Sequence, residues 1–205
     1  MDGLGKSPSK PQGGEIMSLI PVFEIGLWNA WIFILYDLLT IPFFLRIAKS
    51  KGASTPESDL SRIEKIVLNS SKVIYIPAAI YSIFLPLKLG TMWFYIGLPI
   101  TLLGLITGTI VLVNWATTPP GVPITRGLYR YSRHPMYVTS FMFLLGVSVA
   151  SASWVFLLYA IVVAVISFVF AKAEERGCLE QYGDAYREYM SRTPRYIGVP
   201  KSGQK

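Results

Sequence analysis

Five stretches of the chain run apolar for about the length a bilayer demands, and the charged residues gather between them. Ile25 to Leu45, Ile66 to Leu87 and Met92 to Val113 each approach the ~20 residues that cross a hydrocarbon core ~30 Å thick at ~1.5 Å of helix rise per residue. From Pro135 to Ala171 the chain contains no Asp, Glu, Lys or Arg. As one helix that stretch would be ~55 Å long, so two helices share it. The small polar run Ser151 to Ser153 is the natural turn between Met136 to Ala150 and Trp154 to Ala171. The pattern predicts an all-α, polytopic transmembrane helical bundle of about five spans.

Within these spans a few residues break the apolar run. Pro77 and Pro86 are expected to bend the second span, and Gly104-x-x-x-Gly108 in the third permits close helix approach, inside the bundle or between two copies. Asp37 and Lys72 lie in the first two spans. Either they pair across the helices, or Lys72 snorkels to the interface while Asp37 lines a substrate cavity. Residues 1–19 are rich in Gly, Pro, Ser and Lys and read as a flexible tail rather than a signal peptide. Residues 20–119 hold spans one to three and a basic loop in which Thr55 and Pro56 start a short interfacial helix. Residues 120–200 hold a polar connector, a helical hairpin and a last helix, and 201–205 form a short tail. In that last helix Leu179, Tyr182, Tyr186 and Tyr189 recur at helical spacing, so Leu179 to Tyr189 reads as an amphipathic helix closing the mouth formed by residues 121–137.

Composition agrees with the pattern. With 52% hydrophobic residues in 205 and a mean hydropathy of +0.47, the chain is too apolar for an ordinary soluble domain of one-domain size. Its net charge of +7 could suit nucleic acid or an anionic surface, but most basic residues flank apolar runs, which selects the membrane and excludes nucleic acid. One cysteine, Cys178, and one histidine are too few for an internal disulfide or a protein-built metal site, so no metal is expected. With the amino terminus outside, fifteen Lys and Arg fall on the cytoplasmic side against three outside. The positive-inside rule therefore places the carboxyl terminus and the polar connector in the cytoplasm.

That connector holds the densest chemistry. Arg126 to Tyr137 carries three arginines and the single histidine. Pro135 suits the first position of a helix, which sets His134 at an N-terminal rim where backbone N–H groups and the helix dipole favour an anion such as a carboxylate. Tyr129, Tyr131 and Tyr137 could line a cation site or form an interfacial aromatic belt. Glu174 and Glu175 follow the fifth apolar run, where a solvated helix end is the plain explanation.

The run G-L-Y-R-Y-S-R-H-P-M-Y, the Glu174–Glu175 pair, and Y-G-D-A-Y-R-E-Y-M ending in T-P-R together resemble the isoprenylcysteine carboxyl methyltransferase and phospholipid methyltransferase superfamily, over roughly residues 120 to 197. The resemblance implies an integral membrane enzyme using S-adenosylmethionine on a lipophilic or prenylated substrate that enters from the bilayer. It implies that Pro123, Ile124, Tyr129, His134, Pro135, Met136 and Glu174 hold the cofactor and matches Glu175 and Arg195 to family positions: Glu175 or a tyrosine could take the proton of an amine acceptor, and Arg195 could bind an anionic substrate head group, anchor the tail by a salt bridge or contact lipid phosphate. Phe170 stands where the isoprenylcysteine branch carries an arginine for the substrate carboxylate, and Lys172 lies ~200° away around the helix. Gly177, Cys178 and Gly198 also depart from the pattern, which points to a divergent branch and leaves the acceptor open. Two other functions compete: an NADPH-dependent membrane reductase of the sterol reductase type, and a non-enzymatic scaffold or transporter component. The oligomeric state is not encoded in any motif.

Overall fold

A computed structural model describes residue 17, residues 24–50, residue 65 and residues 76–200 of the chain. The amino-terminal and carboxyl-terminal tails, the basic loop with Thr55 and Pro56, most of the first half of the second span, and the Asp37–Lys72 side-chain pair lie outside the described residues. The helices are α1 (Trp31–Ser50), α2 (described over 76–83), α3 (Met92–Ala116), α4 (Pro135–Ala150), α5 (Trp154–Tyr182) and α6 (Asp184–Arg192), with a 3-10 turn at Gly127–Arg130. Among the described residues the fold is all-helical, and three helices are long and apolar enough to cross a membrane: Trp31–Lys49, Met92–Ala116 and Trp154–Tyr182. The fourth expected span is a helix of 16 residues, ~24 Å long, shorter than the hydrocarbon core.

The first two spans differ from their expected limits for one shared reason. The segment before α1 gives its backbone bonds to the segment after α2. Ala30 N donates to Leu85 O at 2.8 Å and Leu87 N to Trp28 O at 3.0 Å. The Asn29 amide donates to Ile83 O at 2.8 Å and to Glu24 O at 2.5 Å. Helix α1 therefore starts at Trp31 rather than Ile25 and runs on to Ser50. Helix α2 stops at residue 83 rather than Leu87, so Pro86 terminates it instead of bending it. Leu85 and Leu87 enter the core beside Ala30, Val147, Ala150 and Phe156.

Small residues bring α3 and α4 together. A β-carbon on Gly104 would lie 2.6 Å from Phe143 N, while one on Gly97 would collide with the backbone of Ala150 and one on Gly146 with that of Thr101. Gly97 and Gly104 of α3 thus serve contact within the bundle, where close backbone approach replaces the hydrophobic drive that lipid removes, while a β-carbon on Gly108 would meet Thr139 at an ordinary 3.5 Å. Helix α3 begins at Thr91, whose hydroxyl accepts from Phe94 N at 3.4 Å.

The turn joining α4 to α5 falls at Ser151 to Ser153. Ala152 adopts φ 48°, a left-handed conformation unusual for a residue with a β-carbon, and Ser153 caps α5 by accepting from Phe156 N at 3.2 Å. Lys88 N donates to Ala150 O at 2.9 Å, fixing the start of α3 beside the end of α4. The opposite ends of α1 and α3 meet where Phe44 stacks on Trp115, ring centroids 4.5 Å apart. The connector, the start of α4 and the end of α5 share this second end.

Helix α5 continues eleven residues past Ala171. Its first 18 residues rise ~27 Å, enough for most of the core, so Lys172 to Tyr182 extend beyond it. The expected single helix from Leu179 to Tyr189 is instead the last turn of α5, a break, and α6. Gly183 makes the break with φ 54° and ψ −126°, a conformation that favours glycine.

Candidate active site

The connector is shaped first by Gly127. Its φ is +61°, and the Asn114 side chain of α3 occupies the space where a β-carbon would stand. Only glycine lets the 3-10 turn rest against α3 in this way. Arg126 ties the same corner by donating through Nη2 to Thr117 Oγ1 and to Asn114 O. Tyr129 is consequently buried, and burial, helped by the charge of Glu174, pushes its phenol well above the ordinary tyrosine range.

The chain end is then stapled onto the motif. Arg133 N donates to Pro194 O at 3.0 Å and His134 N to Arg195 O at 3.2 Å, while Ser132 Oγ donates to Arg195 O at 3.3 Å and accepts from His134 N at 3.1 Å. The Tyr189 hydroxyl on α6 donates to Tyr129 O at 2.7 Å. Tyr186 and Tyr189 form the buried face of α6, and burial raises both phenols above their ordinary range. The exposed face carries the pairs Arg187–Asp184 and Arg192–Glu188.

Pro135 occupies the first position of α4, and His134, 4% exposed, is its cap residue. The imidazole lies between the two glutamates of α5. Its Nδ1 is 3.2 Å from Glu174 Oε2 and its Nε2 is 3.3 Å from Glu175 Oε1. Tyr137 stacks on the imidazole with 5.5 Å between centroids and 8° between planes, and its hydroxyl donates to Glu174 Oε2 at 3.0 Å.

The glutamates have opposite surroundings. Glu175 is buried and meets two guanidinium groups: Arg195 donates through Nε to Oε1 at 2.9 Å and through Nη2 to Oε2 at 2.5 Å, and Arg133 Nη1 lies 2.9 Å from Oε1. The Glu175 hydrogen bond in turn holds Arg195 above its usual range. Glu174 has a side chain 54% exposed, and among the described residues it meets the His134 imidazole and the Tyr137 hydroxyl. One carboxylate is a buried anchor, and the other presents charge to the opening.

Of the residues singled out from sequence, Tyr129, His134, Pro135, Glu174, Glu175 and Arg195 come together here. Pro123 and Ile124 are half-buried on the connector, and among the described residues no hydrogen bond or ion pair links them to the glutamates. Met136 is half-buried in the first turn of α4, its carbonyl accepting from Thr139. Lys172 places its ammonium 5.4 Å from the Phe168 ring centroid. Sequence reasoning did not assign roles to Ser132, Arg133 or Tyr196. Their only signal was adjacency to His134 and Arg195, and their neighbours come from segments some sixty residues away.

Residues 106–185 match the phospholipid methyltransferase family. Methanethiol S-methyltransferase 1 of Bradyrhizobium diazoefficiens is 35% identical over 96 residues, which cover 47% of this chain and 33% of that protein. The chain thus aligns with about a third of that relative's length. The family segment takes in the end of α3, the connector, α4, α5 and both glutamates, and stops short of Arg195. Over that segment, which builds the site, the chain is similar to the phospholipid methyltransferase family.

Proposed function

We propose that the protein is a membrane methyltransferase that takes its methyl group from S-adenosylmethionine and transfers it to a lipophilic nucleophile at the end of the bundle bearing His134 and Glu174. The observation that carries this reading is the contrast between the glutamates: Glu175 is neutralised in the interior, and Glu174 keeps half its side chain exposed beside stacked aromatic rings. The donor is a zwitterion with an added sulfonium, and this site offers a carboxylate and aromatic faces for cations and a guanidinium-rich interior for the carboxylate. When bound, it supplies an electrophilic methyl group. The residues present therefore fit it.

The protein's part is binding, orientation and exclusion of water. Glu174 draws the cationic portion toward the opening, and His134 with Tyr137 fixes that carboxylate. The buried face of α6 and the segment Pro194–Tyr196 close over the connector and lower the local dielectric, which strengthens each charged contact. The neutral Tyr129 phenol is no base, and Glu175 is engaged by two cations. An acceptor that arrives ionised, as a carboxylate or thiolate, needs orientation only; a proton from a neutral acceptor has Glu174 as its available carboxylate. The relative's name, a methyltransferase of methanethiol, favours sulfur as the atom to test first. Prenylated carboxylates and lipid head groups are the other acceptor classes.

The basic residues support a cytoplasmic site. The end of α1, the connector and the chain after Ala171 share one end of the bundle, and together they carry most of the positive charge. Membranes containing the protein, incubated with S-adenosylmethionine labelled in its methyl group and offered an alkyl thiol, a prenylated cysteine or endogenous lipid, are expected to transfer label to one of these. Absence of transfer and of S-adenosylhomocysteine binding, with thermal stabilisation by NADPH, would establish the reductase instead.

A further inference from the structure

One stripe of α5 faces outward along its length. Leu158, Ile161, Val165 and Phe168 are exposed at helical spacing, and the next positions on the same stripe are the exposed Lys172 and Arg176. The stripe therefore changes from apolar to cationic between Phe168 and Lys172, where the ammonium lies 5.4 Å from the ring centroid. At ~1.5 Å per residue Phe168 stands ~21 Å and Lys172 ~27 Å along the helix from Trp154, so the change marks the edge of a hydrocarbon core ~30 Å thick. Phe168 is on the lipid side of that edge.

Tyr196, from the segment after α6, stacks on that ring. The centroids are 5.4 Å apart and the planes 22° from parallel, while the same phenol ring lies 6.3 Å from the His134 imidazole. One side chain thus joins the site to the lipid-facing surface. The residues that follow turn tightly, because a β-carbon on Gly198 would stand 2.8 Å from Pro194 Cγ, and they leave Ile197 and Val199 exposed by 80% and 87%. Two bare aliphatic side chains next to a tyrosine seated at the depth of Phe168 match the composition of a membrane interface, where amphipathic rings and apolar residues meet head groups and acyl chains.

We propose that the turn at residues 196–199 inserts into the bilayer at the boundary of head groups and acyl chains, with Ile197 and Val199 in lipid, and that this contact latches the chain end over the site. The latch acts through the backbone. Arg133 N donates to Pro194 O at 3.0 Å and His134 N to Arg195 O at 3.2 Å, and the Arg195 side chain holds Glu175. A chain end frays unless something ties it down, and burial of two aliphatic side chains in lipid supplies a tie just beyond these bonds. The membrane is then part of the closure of the site, whichever donor or acceptor the site takes.

Nitroxide labels at Ile197→Cys and at Val199→Cys, each in a full-length Cys178→Ser protein in phosphatidylcholine nanodiscs, test the insertion. Their relaxation by oxygen, which concentrates in lipid, and by a water-soluble nickel chelate is compared with labels at Val165→Cys for lipid and Arg187→Cys for water. Both are expected to follow the Val165 label. Labels that follow Arg187 would place the turn in water, and labels shielded from both reagents would place it against protein, such as a second copy; either result overturns the insertion. The latch is read separately, without ligand, by amide hydrogen exchange in the same nanodiscs. An Ile197→Asp, Val199→Asp protein, altered only at exposed side chains, is expected to exchange the Arg133 and His134 amides roughly 10-fold faster, and an Ile197→Leu, Val199→Leu protein to keep the original rates. Unchanged exchange in the aspartate variant would show that the site closes without lipid and would overturn the latch.

Discussion

Arg195 holds both oxygens of Glu175, with Nε on Oε1 at 2.9 Å and Nη2 on Oε2 at 2.5 Å. This bidentate pair joins the far end of the chain to α5, and Arg133 approaches the same carboxylate from the connector. Removing the carboxylate strands two cations, whereas removing Arg195 still leaves Arg133 and His134 beside the anion. Glu175→Gln is therefore expected to destabilise the protein by about 3 kcal/mol, as breaking a buried pair from one side does. Arg195→Met is expected to cost less, because that side chain is one-third exposed and screened by solvent. Unfolding of the variants in detergent checks the ranking, and an Arg195→Met loss larger than that of Glu175→Gln would contradict it.

Glu174 sits at the opening and gives the complementary result. Its partners are the Tyr137 hydroxyl and His134 Nδ1, and more than half its side chain is exposed. Glu174→Gln is expected to leave stability within about 1 kcal/mol while weakening S-adenosylmethionine roughly 10-fold or more. His134→Ala removes a buried group that touches both glutamates and is expected to reduce both stability and affinity. Calorimetric titration beside a thermal melt separates the two patterns. A Glu174→Gln protein that melts early and binds normally would reverse the roles given to the pair.

Much of this site was legible because short-range signals mark it. Pro135 at a helix start, the uncharged run to Ala171 and the small polar turn at Ser151 to Ser153 each act through local backbone chemistry, and the structure places helix starts and a turn at those points. The limits of α1 and α2 were not legible, because Asn29 and Ala30 bond to Ile83 and Leu85 more than fifty residues away. The convergence of Arg133 and Arg195 on Glu175 was hidden for the same reason. It exists only once Arg195 has folded back onto Glu175, and no spacing within the motif announces that. The break after Tyr182 turned on one residue, Gly183, inside an otherwise continuous amphipathic pattern.

The buried tyrosines make stability fall in alkali. Burial holds the phenols of Tyr129 and Tyr189 above their ordinary value, whereas the unfolded chain ionises them near pH ~10. Above that pH the unfolded state releases protons that the folded state retains, so the equilibrium shifts toward unfolding. The stabilisation from these phenols is whole below pH ~10 and is lost as pH rises beyond it. The melting temperature is expected to drop between about pH 10 and 11, and to drop less in a Tyr129→Phe, Tyr189→Phe protein. The double variant loses the Tyr189 hydrogen bond and so melts lower throughout; the slope is the readout. An unchanged slope would show that other groups govern the alkaline transition.

Gly127 and Asn114 provide the sharpest test of how the connector is set. The Asn114 side chain occupies the position a β-carbon at residue 127 would need, and the glycine's φ of +61° is unfavourable for other residues. Gly127→Ala therefore meets two separate costs, a clash and a strained backbone, together about 1–3 kcal/mol. The turn that carries Tyr129 must move to relieve them, and with it the carbonyl that accepts from Tyr189. Asn114→Ala makes room. It removes the clash but leaves the backbone strain, so the double variant is expected to recover part of the loss in stability and in S-adenosylhomocysteine affinity, which identifies a coupled pair. Strictly additive losses would show that backbone strain alone excludes other residues from position 127. A Gly127→Ala protein with unaltered stability and affinity would show that the connector does not depend on this contact.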